Sequence, residues 1–266
     1  MNTPAPHPPA TPTAANIETY MESLLCEEQR QVLMRFFKTG PGEYGEGDEF
    51  LGLKVPETRA VARLVADDCP LAQVPALLHS RWHEVRLCGL LLLVHRYERL
   101  LSKRLRSDAE ACRTREAIIS MYLSHARQAN NWDLVDLSAP KLLGAWVVEQ
   151  TSMGDSGRQR AMACLDTLAG SSCLWLQRIS MVATLRPTQT GDPSWCLRYA
   201  EWHLAHPHPL MHKATGWMLR EMGKHCGLEL LRDFLSRHAC RMARTTLRYA
   251  IERMDEAERR HFLLMR

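Results

Sequence analysis

The sequence predicts an all-α protein, a curved solenoid of tandem HEAT-like helix pairs with a concave basic groove. Apolar residues recur at helical spacing from residue 16 onward, and no convincing alternating strand pattern interrupts them. Helix-starting punctuation returns along the chain at Pro70, Ser80, Ser107, Asn131, Asp155, Ser172, Pro193, Pro209, Gly227 and Asp255. Cations also recur near the starts of several of these helices. A chain of 266 residues is long for one compact core, whereas a repeat array grows to this length as a single unit. Periodicity alone leaves a compact helical bundle open.

Residues 1–15 are rich in Pro, Ala and Thr and read as a disordered tail, which leaves 16–266 as one repeat domain. The tail lacks the basic start and apolar run of a secretory signal, and no apolar stretch is long enough to cross a membrane. A cytoplasmic protein is expected. Nine scattered cysteines, an odd number without a C-x-x-C pair, suit reduced thiols better than a disulfide frame or a zinc site. The formal net charge of +4 permits nucleic acid as a partner without requiring it.

Ile17–Lys38 reads as one amphipathic helix, with Tyr20, Leu24, Leu25, Val32, Leu33 and Phe36 in helical period and Gly40-Pro41-Gly42 closing it. The acidic, glycine-rich Gly40–Asp48 cannot make a stable helix. Phe50–Pro56 is a short extended approach, and Pro56-Glu57-Thr58 starts the next helix.

Asn130–Asp136 carries the most specific chemistry. With Asn131 as N-cap, Trp132 and Asp136 stand four apart on one helix face, so an indole and a carboxylate share a surface. Asp133 reads as a first-turn acid facing the positive end of the helix dipole. Pro140 cannot donate to the carbonyl of Asp136, so an interrupted helix is expected there.

Aligning the second helices of the candidate pairs puts Arg86, Arg178, Lys213 and Arg244 in one column, with Asp136 as the single acid among them. The separations from Arg86 through Asp136, Arg178 and Lys213 to Arg244 are 50, 42, 35 and 31 residues, which fits degenerate units of unequal length. Such a column can line a groove that takes a phosphate backbone, and interhelical ion pairing explains it about equally well. Arg248 extends a basic face with Arg241 and Arg244. Trp217 lies four residues beyond Lys213, and Gly216 is read as leaving space beside it.

Three segments, Trp132-Asp133-Leu134-Val135-Asp136, Trp175-Leu176-Gln177-Arg178 and Lys213–Glu221, together resemble the AlkD-type DNA alkylation repair glycosylases, built from HEAT-like repeats. The resemblance covers nearly the whole chain from about residue 17. It implies that Asp136 is the catalytic carboxylate, that Trp132 and Trp217 flank the damaged nucleotide, and that Arg178 holds nearby phosphate. It also implies double-stranded, alkylated DNA as partner and removal of N3- or N7-alkylated purines, with the lesion left stacked in the duplex. The chemistry is consistent with those residues, because an alkylated purine is cationic and leaves without a general acid. A carboxylate then has only to stabilise an oxocarbenium-like sugar and place water, with no metal and no cofactor.

One departure is expected. Relatives that excise alkylpurines have a second helix between the first helix and the segment before Pro56, and here only Gly40–Asp48 is left to fill that interval. Two alternatives to a glycosylase therefore stay open: a non-catalytic protein that binds damaged or distorted DNA, and a protein-interaction scaffold. His203, His206, His208 and His212 read as an inter-helix turn rather than a metal site. Nothing in the sequence calls for more than a monomer.

Overall fold

The computed structural model describes Pro9 and Thr11–Met265. Most of the expected tail lies outside those residues. Its last two positions, Ala14 and Ala15, instead open a helix, because the Thr13 side chain accepts the Asn16 N–H and Gln73 accepts the N–H of Ala14 at 2.9 Å. The fold is all-α: among the described residues there is no strand, only an isolated bridge between Glu49 and Trp82. The described residues fall into two compact units that meet between Ser138 and Ala139.

The first unit contains α1 (Ala14–Ser23), α2 (Glu27–Phe36), α3 (Val55–Val65), α4 (Val74–Leu78), α5 (His83–Leu100), α6 (Ala109–Ser124) and α7 (Trp132–Ser138). It is built around α5, against which α3, α4, α6 and α7 pack. Twelve of the eighteen α5 residues are buried, so this helix is covered on nearly all sides and shows no clean amphipathic stripe. Gly89 allows the approach of α4, since a Cβ there would meet Leu77 and Leu78 side-chain atoms at 3.1 Å.

The single helix expected over Ile17–Lys38 is in fact two. Leu24 closes α1, Cys26 turns extended and gives its N–H to the Leu51 carbonyl at 2.9 Å, and α2 starts at Glu27 with Glu27 and Glu28 in its first turn. A second helix, α2, therefore does lie between α1 and the extended segment, within the stretch read as the first helix rather than in Gly40–Asp48. Gly40–Asp48 forms turns, as its composition predicts.

The second unit opens with a π-helical turn, Pro140–Gly144, in which the Gly144 N–H reaches the Ala139 carbonyl, five residues back, at 2.8 Å. The interruption predicted at Pro140 takes this form, because proline has no N–H to continue the usual ladder. Then come α8 (Ala145–Ser152), α9 (Asp155–Ala169), α10 (Leu174–Val182), α11 (Leu185–Gln189), α12 (Ser194–Trp202), α13 (Pro209–His225), α14 (Leu228–His238), α15 (Arg244–Ala250) and α16 (Glu256–Leu264). Here α13 is the centre, packed by α10, α11, α12, α14 and α15.

Candidate functional site

Four charged side chains form a buried cluster at the start of α5. His83 donates from Nδ1 to Asp48 Oδ2 at 2.8 Å and from Nε2 to Asp133 Oδ2 at 2.9 Å. Arg86 donates to Asp48 Oδ1 and to the carbonyls of Ser80 and Arg81, both at 2.9 Å. Burial opposes a charged imidazole, yet the Asp133 and Asp48 carboxylates raise the His83 pKa from 6.5 to about 9, so His83 is an imidazolium at neutral pH. Burial pushes the Asp48 carboxyl up, but the hydrogen bonds and charges of His83 and Arg86 outweigh it and hold it below the ordinary range. Two cations therefore face two anions out of water, an arrangement that survives only when fully paired.

The neighbouring Glu84 fixes the backbone. Its carboxylate accepts the N–H groups of Leu51, Gly52 and Leu53 at 2.9, 2.9 and 3.0 Å. Burial raises its pKa against those donors. Gly52 has a φ of 90°, and a Cβ there would lie 2.2 Å from the Cys26 carbonyl oxygen, so only glycine lets the extended segment reach the start of α2.

Above this cluster lies a recess of about 320 Å³, within the first unit. Phe36 and Phe37 at the end of α2, Phe50 on the extended segment and Trp132 on α7 are its aromatic walls, and Glu84, Asp133 and Asp136 are its acids. Phe37 stacks on Trp132 with ring centroids 5.3 Å apart and on Phe50 at 5.1 Å, while Phe50 stacks on His83 at 4.4 Å. Trp132 and Asp136 thus line one cavity, as their spacing on one helix face predicts. Asn131 precedes α7 and accepts the Trp132 N–H on Oδ1 at 2.9 Å, while its amide nitrogen points to Asp48.

Sequence reasoning missed His83, Asp48, Glu84 and the three phenylalanines as site residues. Asp133 is a first-turn acid of α7, as read, and is in addition a buried partner of His83. Arg86 is only 4% exposed and internally paired, so it is not positioned to line a groove.

The remaining candidates belong to the second unit. Lys213 on α13, and Arg244 and Arg248 on α15, are exposed, and Trp217 is half-buried. Arg244 donates to the Leu263 carbonyl at 2.6 Å, and Arg248 shares a surface depression with Glu252 and Glu256. Arg178 is buried, 4% exposed, and donates to the Leu210 carbonyl at 2.6 Å. Phosphate contact, as expected for it, does not fit that burial. Gly216 does not open space beside Trp217. It is where α13 meets α15, and a Cβ would lie 2.4 Å from the Thr246 carbonyl oxygen.

The histidine group is taken up by hydrogen bonds. His203 pairs with Ser180 at 3.0 Å and His206 with Gln177 at 2.8 Å, and burial pushes the His203 pKa down to about 4. Among the described residues, no three His, Cys, Asp or Glu side chains are grouped to hold a metal ion, and no helix is long and apolar enough to cross a membrane.

The model of the DNA alkylation repair enzyme family matches residues 17–254. The chain belongs to this family. A solved structure of similar fold is a predicted DNA alkylation repair enzyme from Enterococcus faecalis, with a TM-score of 0.63 over 87% of this chain and 97% of that one. At 15% identity it speaks to the fold alone. No curated protein sequence matches the chain significantly. Family membership makes DNA alkylation repair the coarse function.

Proposed function

We propose that this DNA alkylation repair protein binds duplex DNA and hydrolyses the N-glycosidic bond of N3- or N7-alkylated purines. The observation that carries this is Asp136 and Trp132 lining one aromatic-walled recess in a chain of this family. The alkylated base is already a cationic leaving group. Asp136 stabilises the positive charge that grows on the deoxyribose as the bond breaks and orients the attacking water. The indole face of Trp132 adds cation–π attraction of about 1–2 kcal/mol where water is excluded. Lys213, Arg244 and Arg248 are exposed cations available to phosphate, which fixes the duplex without reading its sequence. Trp217 is assigned, by resemblance, a place against the damaged nucleotide. The protein acts as a monomer in the cytoplasm and uses no cofactor.

The test is release of 3-methyladenine and 7-methylguanine from methylated duplex, with duplex binding recorded alongside. Wild type should release base, and Asp136→Asn should lose release by at least about a hundredfold while still binding DNA, the range seen when one preorganised electrostatic group is removed. Binding without release by wild type points instead to a non-catalytic DNA-binding protein. Absence of both leaves a protein-interaction scaffold.

A further inference from the structure

We propose that His83 is a positioning residue for base excision, acting through Asp133 to fix the direction of α7 and with it the places of Trp132 and Asp136. This rests on the excision reading above.

A helix of seven residues cannot hold its own course in water, since isolated helices shorter than about 12–15 residues are marginal there. The direction of α7 is therefore set by what grips it from outside. Trp132 and Asp136 are half-buried, whereas Asp133, Leu134 and Val135 between them are buried. Burial of Leu134 and Val135 holds the helix down but is non-directional. Asp133 supplies the direction. It is the charged residue among those buried on α7, and its Oδ2 accepts the His83 Nε2–H at 2.9 Å, a charge-assisted bond of fixed geometry.

Two further ties run from the same imidazole. Its Nδ1 donates to Asp48, which also accepts from the amide of Asn131 at 3.4 Å, and Asn131 in turn accepts the Trp132 N–H. Its ring stacks on Phe50, Phe50 on Phe37, and Phe37 on Trp132. One side chain of α5 thus reaches α7 by an ion pair, by a hydrogen-bonded relay and by a column of rings. The other charges on the first turn of α5 are spent elsewhere: Glu84 accepts three backbone N–H groups, and Arg86 is paired with Asp48 and two carbonyls. A support of this kind matters for rate, because a displacement of about 1 Å in the reacting geometry costs on the order of a hundredfold.

The experiment compares the full-length wild type with Asp133→Asn, which keeps an acceptor for His83 and removes the charge between them. Single-turnover release of 3-methyladenine and 7-methylguanine at saturating protein should fall by about ten- to a hundredfold, while affinity for the same methylated duplex is unchanged. Amide hydrogen exchange over Trp132–Ser138 should rise at least about tenfold, with α3 and the body of α5 still protected. His83→Leu combined with Asp133→Val removes both charges together and leaves Asp48 to Arg86. This second variant should keep the fold, by circular dichroism, even where Asp133→Asn does not, and should release base as slowly. Release at the wild-type rate by either folded variant overturns the proposal and leaves the excision reading intact. A fall in release that tracks a fall in duplex affinity, or exchange that rises throughout α5 as well, marks a general loss of structure and also overturns it. If the wild type itself releases no base, the excision reading falls. Faster exchange confined to α7 then still keeps His83 as the group that sets this helix, and unchanged exchange removes that too.

Discussion

His83 is the residue on which the site rests, since one imidazolium holds two carboxylates apart in a space without water. His83→Gln leaves Asp48 and Asp133 facing a neutral side chain, and a loss of about 3–5 kcal/mol is expected in urea unfolding. The pH dependence follows from a folded pKa raised from 6.5 to about 9. The stabilisation is complete below about pH 6.5 and is lost as pH rises through about 9, on the order of 3 kcal/mol in all. Asp48 acts in the opposite sense. Its lowered pKa gives stability that is present above the ordinary carboxylate range and is lost on acidification. Urea midpoints measured across pH should therefore fall on both sides, and an alkaline arm that persists in His83→Gln would remove this account. Arg86 separates the two readings of the cation column in the same assay. Arg86→Met should cost stability and leave the salt dependence of DNA binding unchanged. The sequence could show Arg86 at a helix start but not that Asp48, 38 positions earlier, returns to meet it, because that meeting is purely tertiary.

At the scale of the helix, α2 was hidden by its own periodicity. Leu24, Leu25, Val32 and Leu33 keep helical phase across a break that has neither glycine nor proline, and what ends α1 is a backbone hydrogen bond from Cys26 to Leu51. The start of α7 was legible because its signals are local: an asparagine, an indole and two acids at helical offsets. Glycines show the same contrast, since Gly216 is as plain in the sequence as Gly52 while the atoms that make each necessary come from other elements. Gly216→Ala should separate α13 from α15 and lower the melting temperature by several degrees, as a clash of backbone with backbone cannot be relieved by a rotamer. Gly52→Ala meets both a positive φ and the Cys26 carbonyl. It should loosen α2 and lower the melting temperature at little cost to overall helix content, which circular dichroism can check.

For the whole molecule, the all-α class and most helix starts could be read directly, because punctuation and period are properties of short windows. The division of the described residues between Ser138 and Ala139 could not, since both sit inside continuous helical periodicity. The exposed cations of the second unit make a prediction for the intact protein. If Lys213, Arg244 and Arg248 each meet a phosphate, replacing all three by alanine should reduce the slope of log affinity against log salt by roughly one per cation, without changing sequence preference. An unchanged slope would move the DNA interface elsewhere.

The absence of any buried residue on α2 bears on timing as well as on architecture. A helix held chiefly by its ends and by rings that are themselves partly in water, such as Phe36 at 60% exposure, exchanges its amide protons by local opening rather than by unfolding of the unit. The frequency with which the recess becomes reachable is then a property of ten residues, and it can be altered by substitutions on the outer face of α2 that alter neither the acids nor the stability of α5.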